Sequence, residues 1–187
     1  MKKYFLILLS SVLMAACSEK EAPLCTKELT SPDGTLKATF TLTRDGVPYY
    51  SLEKNGTKVI LPSRLGFIFR GDLQSTDFIY ERHHILKADR HPQYSMSEGF
   101  SLADASTSTF DETWEPVWGE ESQIRNNYNE LLVCLRQEGK DRLMNIRFRL
   151  FDDGLGFRYE FPAGGKLVHF AIKDELTEFA CSGDWES

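Results

Sequence analysis

Hydrophobic positions in this chain recur with a period of two. In "TLKATFTLTR", Leu36, Ala38, Phe40 and Leu42 fall on one face of an extended segment, and Thr35, Lys37, Thr39 and Thr41 fall on the other. Asp45-Gly46 follows, then "VPYYSLEK", Asn55-Gly56 and "TKVILP". Both dipeptides tolerate positive φ, so the pattern predicts a three-stranded meander joined by type I′ turns. "RLGFIFR" and "DFIYERHHILKA" read as further strands. The second half alternates more strongly. Leu131, Val133 and Leu135 share a face in "YNELLVCLRQEG". Met144, Ile146, Phe148 and Leu150 do so in "RLMNIRFRLF", with Asn145, Arg147 and Arg149 opposite. After a turn at Asp153-Gly154, "LGFRYEF" turns Leu155, Phe157, Tyr159 and Phe161 inward, and "LVHFAI" and "DELTEF" close the chain. No long segment has a helical period. The expected fold is all-β, an antiparallel β-sandwich. Residues 88–109 are polar and weakly patterned and read as a long excursion between sheets.

The first segment, "MKKYFLILLSSVLMAAC", does not belong to that pattern. Two lysines precede a short apolar run, and Ala15 and Ala16 are the small residues a signal peptidase requires. Cys17 follows them directly, an arrangement that resembles a bacterial lipobox, with Met14 where leucine is usual. The alternative is an ordinary cleaved signal peptide. The expected organisation is a leader over 1–17, a polar tether over 18–28 and one β-domain over 29–187, since roughly 170 residues suffice for a single core. A lipidated Cys17 would place the domain on a membrane, as a periplasmic or outer-membrane lipoprotein of a Gram-negative bacterium.

Charge and candidate chemistry narrow the picture. Without the two leader lysines, 20 basic side chains face 28 acidic ones, net −8. Phosphate recognition needs clustered positive charge, so nucleic acid is not an expected partner. Cys25, Cys134 and Cys181 have no zinc-like spacing, and Cys134, inside "LLVCL", reads as a buried thiol. His83 and His84 are adjacent and point to opposite faces of a strand, while His91 and His169 are isolated, so no metal site is expected. There is no phosphate loop and no nucleophile elbow. Acid pairs such as Asp111/Glu112 and Glu120/Glu121 suit acid–base work, Ca²⁺ or plain solvation of a loop.

Longer motifs are more specific. "SPDGTLKATFTL", "PSRLGF", "TFDETWEPVWGEESQIRNNYNEL", "RFRLFDDGLGFRYEFP" and "IKDELTEF" occur in this order over roughly residues 29–184. In order and spacing they resemble the N-terminal domain of glycoside hydrolase family 97, a family of α-glucosidases and α-galactosidases of polysaccharide-utilisation systems. The resemblance implies a super-sandwich similar to that of galactose mutarotases, followed in the family by a catalytic (β/α)-barrel. It implies a sandwich incomplete at its C-terminal end in this chain, with the catalytic residues on the absent barrel. Calcium is implied only for the full-length enzyme, bound mainly by barrel glutamates and by one N-terminal-domain glutamate that follows an "SGD". Here "SGDWES" ends the sequence, and Glu186 does not occupy the matching position. Catalytic residues, cofactor and metal ligands are therefore expected to be none in this chain, which is expected to be inactive alone. The choice between α-glucoside and α-galactoside would rest on the barrel.

The stretch around Trp114 and Trp118 is the candidate site. One reading has Trp114 and Trp118 stacking on the faces of an α-linked glycan, with Glu115, Glu120 and Arg125 bonding its hydroxyls, as in a free-standing carbohydrate-binding lipoprotein. The other has the same residues wedged against the barrel, because aromatics bury much area with few torsions. A structural envelope lipoprotein unrelated to sugar is the third reading. For the leader, cleavage before Cys17 and acylation of its thiol are the expected outcome, checked by mass spectrometry of the mature N-terminus; an unmodified N-terminus elsewhere would refute the anchor.

Overall fold

The computed structural model describes residues 23–69, 95–167 and 170–183. The leader with Cys17, residues 18–22 of the tether, the strand expected at "DFIYERHHILKA", all four histidines and Glu186 lie outside the described residues. Every regular element described is a strand.

The first sheet is a meander of β1 (Cys25–Thr30), β2 (Leu36–Leu42), β3 (Pro48–Lys54) and β4 (Thr57–Arg64), antiparallel throughout and in that order. The alternation expected of β2 holds, with Leu36, Ala38, Phe40 and Leu42 all buried. Two expectations are corrected. The sheet has a fourth strand, because residues 25–28, read as tether, belong to β1 and pair with Leu42 to Thr39; Cys25 packs on the core and Leu29 is buried in it. The two hairpin turns also differ. Asn55 (φ 50°) and Gly56 (φ 78°) form the expected type I′ turn. At Asp45-Gly46 only the glycine has positive φ, 71°, and the Gly46 amide donates to the Thr43 carbonyl. That is a type I turn followed by a left-handed glycine, the three-residue loop rather than the two-residue one.

The second sheet contains β7 (Phe100–Trp114), β8 (Ile124–Gln137), β9 (Arg142–Leu150) and β10 (Leu155–Glu160), in the order β10-β9-β8-β7. Leu131, Val133, Leu135, Met144, Ile146, Phe148 and Leu150 are all buried, as their period predicts. Leu155, Phe157, Tyr159 and Phe161 are half-buried and pack against the same core. The two sheets meet where the Phe148 ring lies 6.2 Å from Phe40 and 6.5 Å from Tyr50. A small third sheet, β11 (Ile172–Glu175), β5 (Phe67–Phe69) and β6 (Ser95–Met96), closes the end of the sandwich. There Phe67 meets Tyr159 edge-on at 4.4 Å, and Phe69 meets Phe170 at 5.1 Å. "DELTEF" contributes only its first two residues to β11. The rest is irregular but anchored, with the Tyr50 hydroxyl donating to the Glu178 carbonyl at 2.8 Å.

Two further expectations are overturned. The described part of the excursion, residues 95–109, is β6 and most of β7 rather than a connection between sheets. Hydrophobic alternation appears only where one face of a strand is buried, and β7 is exposed on both faces from Ser106 onward, so its serines and threonines carry no period. Cys134 is not a core thiol. Val133 and Leu135 point into the sandwich, so Cys134 lies half-buried on the opposite face of β8, across from Asn145. Burial pushes its thiol above the ordinary range.

The β2–β3 turn also ties the sheets together: the Gly99 and Phe100 amides donate to the Asp45 and Gly46 carbonyls at 2.9 and 3.0 Å. A Cβ on Gly46 would overlap the Phe100 backbone, whereas one on Gly56 would meet open space. Gly56→Ala should cost about 1 kcal/mol, the left-handed penalty alone. Gly46→Ala should cost about 3 kcal/mol because overpacking adds to that penalty. Paired chemical-denaturation curves check the difference, and equal losses would contradict it.

Candidate functional site

The candidate residues sit on an arm created by unequal strand lengths. β9 pairs with β8 only from Asn129 to Gln137. Beyond that point Ile124–Tyr128 pair solely with Phe110–Trp114 of β7, so the two strands continue as a ribbon of about 16 Å. Residues 115–123 form the loop at its tip. Alternation assigns the faces. Phe110, Glu112, Trp114, Ile124, Asn126 and Tyr128 lie on one, and Asp111, Thr113, Arg125 and Asn127 lie on the other.

This division separates residues that the sequence places together. Trp114 is opposite Ile124, while Arg125 is on the other face, where its Nε and Nη2 donate to Asp111 at 2.9 and 2.7 Å. The Arg125 bonds hold the Asp111 carboxyl below its usual range. Both side chains are largely exposed, so the pair orients the ribbon more than it stabilises it. Glu115, Trp118 and Glu120 lie in the tip loop, all exposed. Val117 is 100% and Trp118 88% exposed, against 47% for Trp114. The tip is therefore the most exposed apolar surface among the described residues, extended toward the base by Ile124 and Phe110.

At the base of the arm, Phe110 stacks on its cross-strand partner Tyr128 at 5.2 Å and 21°. Tyr128 also meets Phe151 at 5.2 Å and carries the Arg149 guanidinium 4.5 Å above its ring. From there an ion-pair chain crosses the outer face of the second sheet. Glu130, 8% exposed, accepts from Arg149 at 2.8 Å and from Arg147. Arg147 then reaches Glu160 at 2.7 and 3.1 Å, and Arg158 donates to Glu160 at 2.9 Å. Arg147 and Arg158 stand directly opposite each other, a like-charge pair that Glu160 neutralises. Burial pushes the Glu130 carboxyl up, but the Arg149 and Arg147 bonds outweigh it and the net shift is downward. Glu160 is held down chiefly by Arg147. The sequence shows the outer positions of Arg147 and Arg149, but not that Glu130 lies between them, because that requires the β8–β9 register.

On the open side of the sandwich a shallow groove of about 440 Å³ runs between β1 and the β7–β8 pair, lined by Glu28, Leu29, Thr30, Thr107, Ser108, Thr109 and Asn129. Calcium demands six to eight oxygens. Among the described residues no group of three or more His, Cys, Asp or Glu converges.

The fold and the arm define an antiparallel β-sandwich domain whose apolar reach is concentrated on one projecting hairpin. The family model for the glycosyl-hydrolase 97 N-terminal domain matches residues 29–187, and the chain belongs to that family. It is 24% identical over 156 residues to a retaining α-galactosidase of Bacteroides thetaiotaomicron, covering 83% of this chain and 19% of that protein. Structures of a glycoside hydrolase family 97 enzyme from Pseudoalteromonas sp., in complex with panose and with acarbose, superpose with a TM-score of 0.67 at 27% identity, covering 83% of this chain and 20% of theirs. A β-arabinopyranosidase shares the fold, with a TM-score of 0.63 at 21% identity. The chain spans about a fifth of the length of these relatives.

The ion-pair chain has a pH signature. Glu130 and Glu160 have folded pKa values below their unfolded ones. Their contribution is present above the unfolded carboxylate value, about 4.3, and is lost as pH falls through the folded value. Glu130→Gln should lower stability at pH 7 by about 2 kcal/mol, because two arginines lose their shared counter-charge. It should also flatten the fall in stability below pH 5. Urea midpoints measured from pH 7 to pH 3 check both, and an unchanged acid slope would show that Glu130 carries no such linkage.

Proposed function

We propose that this domain is the N-terminal β-sandwich of an exported α-glycosidase, acting on α-glucosides or α-galactosides in polysaccharide utilisation, and that its arm docks against the catalytic barrel. The observation that carries this is the exposed apolar tip. Trp118 and Val117 project at the end of a ribbon, while Arg125, the polar group best placed to read a sugar hydroxyl, is committed to Asp111 on the face opposite Trp114. An apolar tip whose nearby arginine is already paired on the other face suits a protein interface better than a glycan site. Family membership, the retaining α-galactosidase relative and the panose- and acarbose-bound relatives support the α-glycosidase assignment. Catalysis and calcium are assigned to the barrel. "LMAAC" supports export and a lipid anchor at Cys17, as in a periplasmic or outer-membrane lipoprotein of a Gram-negative bacterium.

The test mixes the purified chain with the separately produced catalytic barrel of a family 97 enzyme, and in parallel runs it through gels containing α-glucan. Binding to the barrel is expected, weakened at least tenfold, or about 1.4 kcal/mol, by Trp118→Ser, with no retardation by glycan and no turnover of nitrophenyl α-glycosides by the chain alone. Retardation that Trp118→Ser abolishes would replace this reading with that of a free-standing carbohydrate-binding module.

A further inference from the structure

Val117 and Trp118, the most exposed apolar side chains among the described residues, stand in a setting of one charge sign. From Phe110 to Ile124 the chain carries Asp111, Glu112, Glu115, Glu120 and Glu121 and no basic residue. Arg125, the next cation, is committed to Asp111 through both Nε and Nη2. Glu112, Glu115, Glu120 and Glu121 are all exposed, and among the described residues none of them is in an ion pair. The sheet faces treat their acids differently: Glu130 and Glu160 share arginines, and Glu28 and Glu53 flank Lys37. An apolar centre inside a charged rim is how protein interfaces are built. A rim of one sign selects a partner of the other.

We propose, resting on the reading that the arm docks against the catalytic barrel, that the seat for the tip is an apolar pocket for Trp118 ringed by Lys and Arg, and that the acidic rim steers the two together. Charge selects this occupant. Unmatched carboxylates around the tip repel the same tip of a second copy, and a neutral glycan offers them no counter-charge. Opposite cations they become favourable. The two parts of the tip then divide the task. Rim charges act through space and raise the rate of encounter, an effect that salt screens beyond about 10 Å at about 0.1 M. The Trp118 ring acts on contact: an indole desolvated at the centre of an interface holds the complex and limits its dissociation. The clasp of Arg125 on Asp111 keeps the arm's own cation on the face opposite Trp114, away from that rim.

Binding kinetics of the full chain against the separately produced catalytic barrel of a family 97 enzyme, followed from about 50 to about 500 mM NaCl, test this. The association rate should fall about tenfold or more across that range, with little change in dissociation. Glu115→Gln with Glu120→Gln should slow association at low salt and flatten its salt dependence, leaving dissociation near that of the unsubstituted chain. Trp118→Ser should do the reverse, speeding dissociation while the salt dependence of association persists. Glu138→Gln with Asp174→Asn removes the same charge from exposed positions off the arm and should leave both rates and their salt dependence in place. All five positions are exposed, so each variant should keep the circular dichroism of the unsubstituted chain. An association rate independent of salt, or one that responds equally to the two charge-removing pairs, would overturn the cationic seat while leaving the docking itself standing. Absence of binding at every salt concentration would overturn the docking and this inference with it.

Discussion

Everything in this domain depends on two sheets sharing one aromatic contact layer. Phe148 of β9 lies against Phe40 of β2 and Tyr50 of β3, and Phe157 of β10 packs beside it at 5.7 Å. Because side chains alternate, burying that row determines the facing of every other residue in β8, β9 and β10. A slip of one residue would put Arg147 and Arg149 into the core and Phe148 into water. The ion-pair chain is the counterpart of this constraint. Glu130 can sit between Arg147 and Arg149 only when its core neighbour Leu131 is turned inward. Packing on one face and charge on the other thus specify the same register.

The arm follows from where that shared layer stops. Leu150 is the last core residue of β9, and Asp152 and Asp153 turn the chain away. Among the described residues, the β7–β8 ribbon then continues with no third strand beside it. A bare two-stranded ribbon is marginal in water, and this one is braced on both faces. Tyr128 is held between Phe110, Phe151 and Arg149 on one, and Arg125 clasps Asp111 on the other. The turn after β1 adds support at the base: the Asp33 backbone amide donates to the Asp152 carboxylate at 2.9 Å, and the Asn129 side-chain Nδ2 donates to the Thr30 carbonyl at 2.7 Å. These braces set the direction in which Trp118 is carried.

Strands that bury one face were legible in the sequence, and strands that bury none were not. β2, β8 and β9 declare themselves through Leu36 to Leu42, Leu131 to Leu135 and Met144 to Leu150, because a half-buried strand must alternate. β7 is the longest strand and was invisible, since "DASTST" faces water on both sides. Cys134 was misplaced because an apolar run such as "LLVCL" shows composition, whereas burial follows parity, and Cys134 has the parity of Leu132 and Glu130. At the candidate site, exposure of the two tryptophans' loop could be read from its acids and Pro116. The separation of Arg125 from Trp114 could not, because it depends on the pairing of Trp114 with Ile124.

The carboxylates indicate what kind of work the domain does. Asp33, Asp111, Glu130 and Glu160 are the described acids with shifted pKa values, and all four are shifted down. Asp33 falls to about 2 because it accepts from the Ser31 hydroxyl and the Thr35 amide. The other three are held by arginines. A general acid at neutral pH needs the opposite shift, a carboxyl raised by an apolar pocket until it retains its proton. In these groups the charged form is favoured instead, and it is used in a turn, a ribbon and a sheet face. With Trp118, the most exposed aromatic among the described residues, carried on a braced arm, these acids serve geometry: they hold the arm and the outer sheet face in position relative to the core.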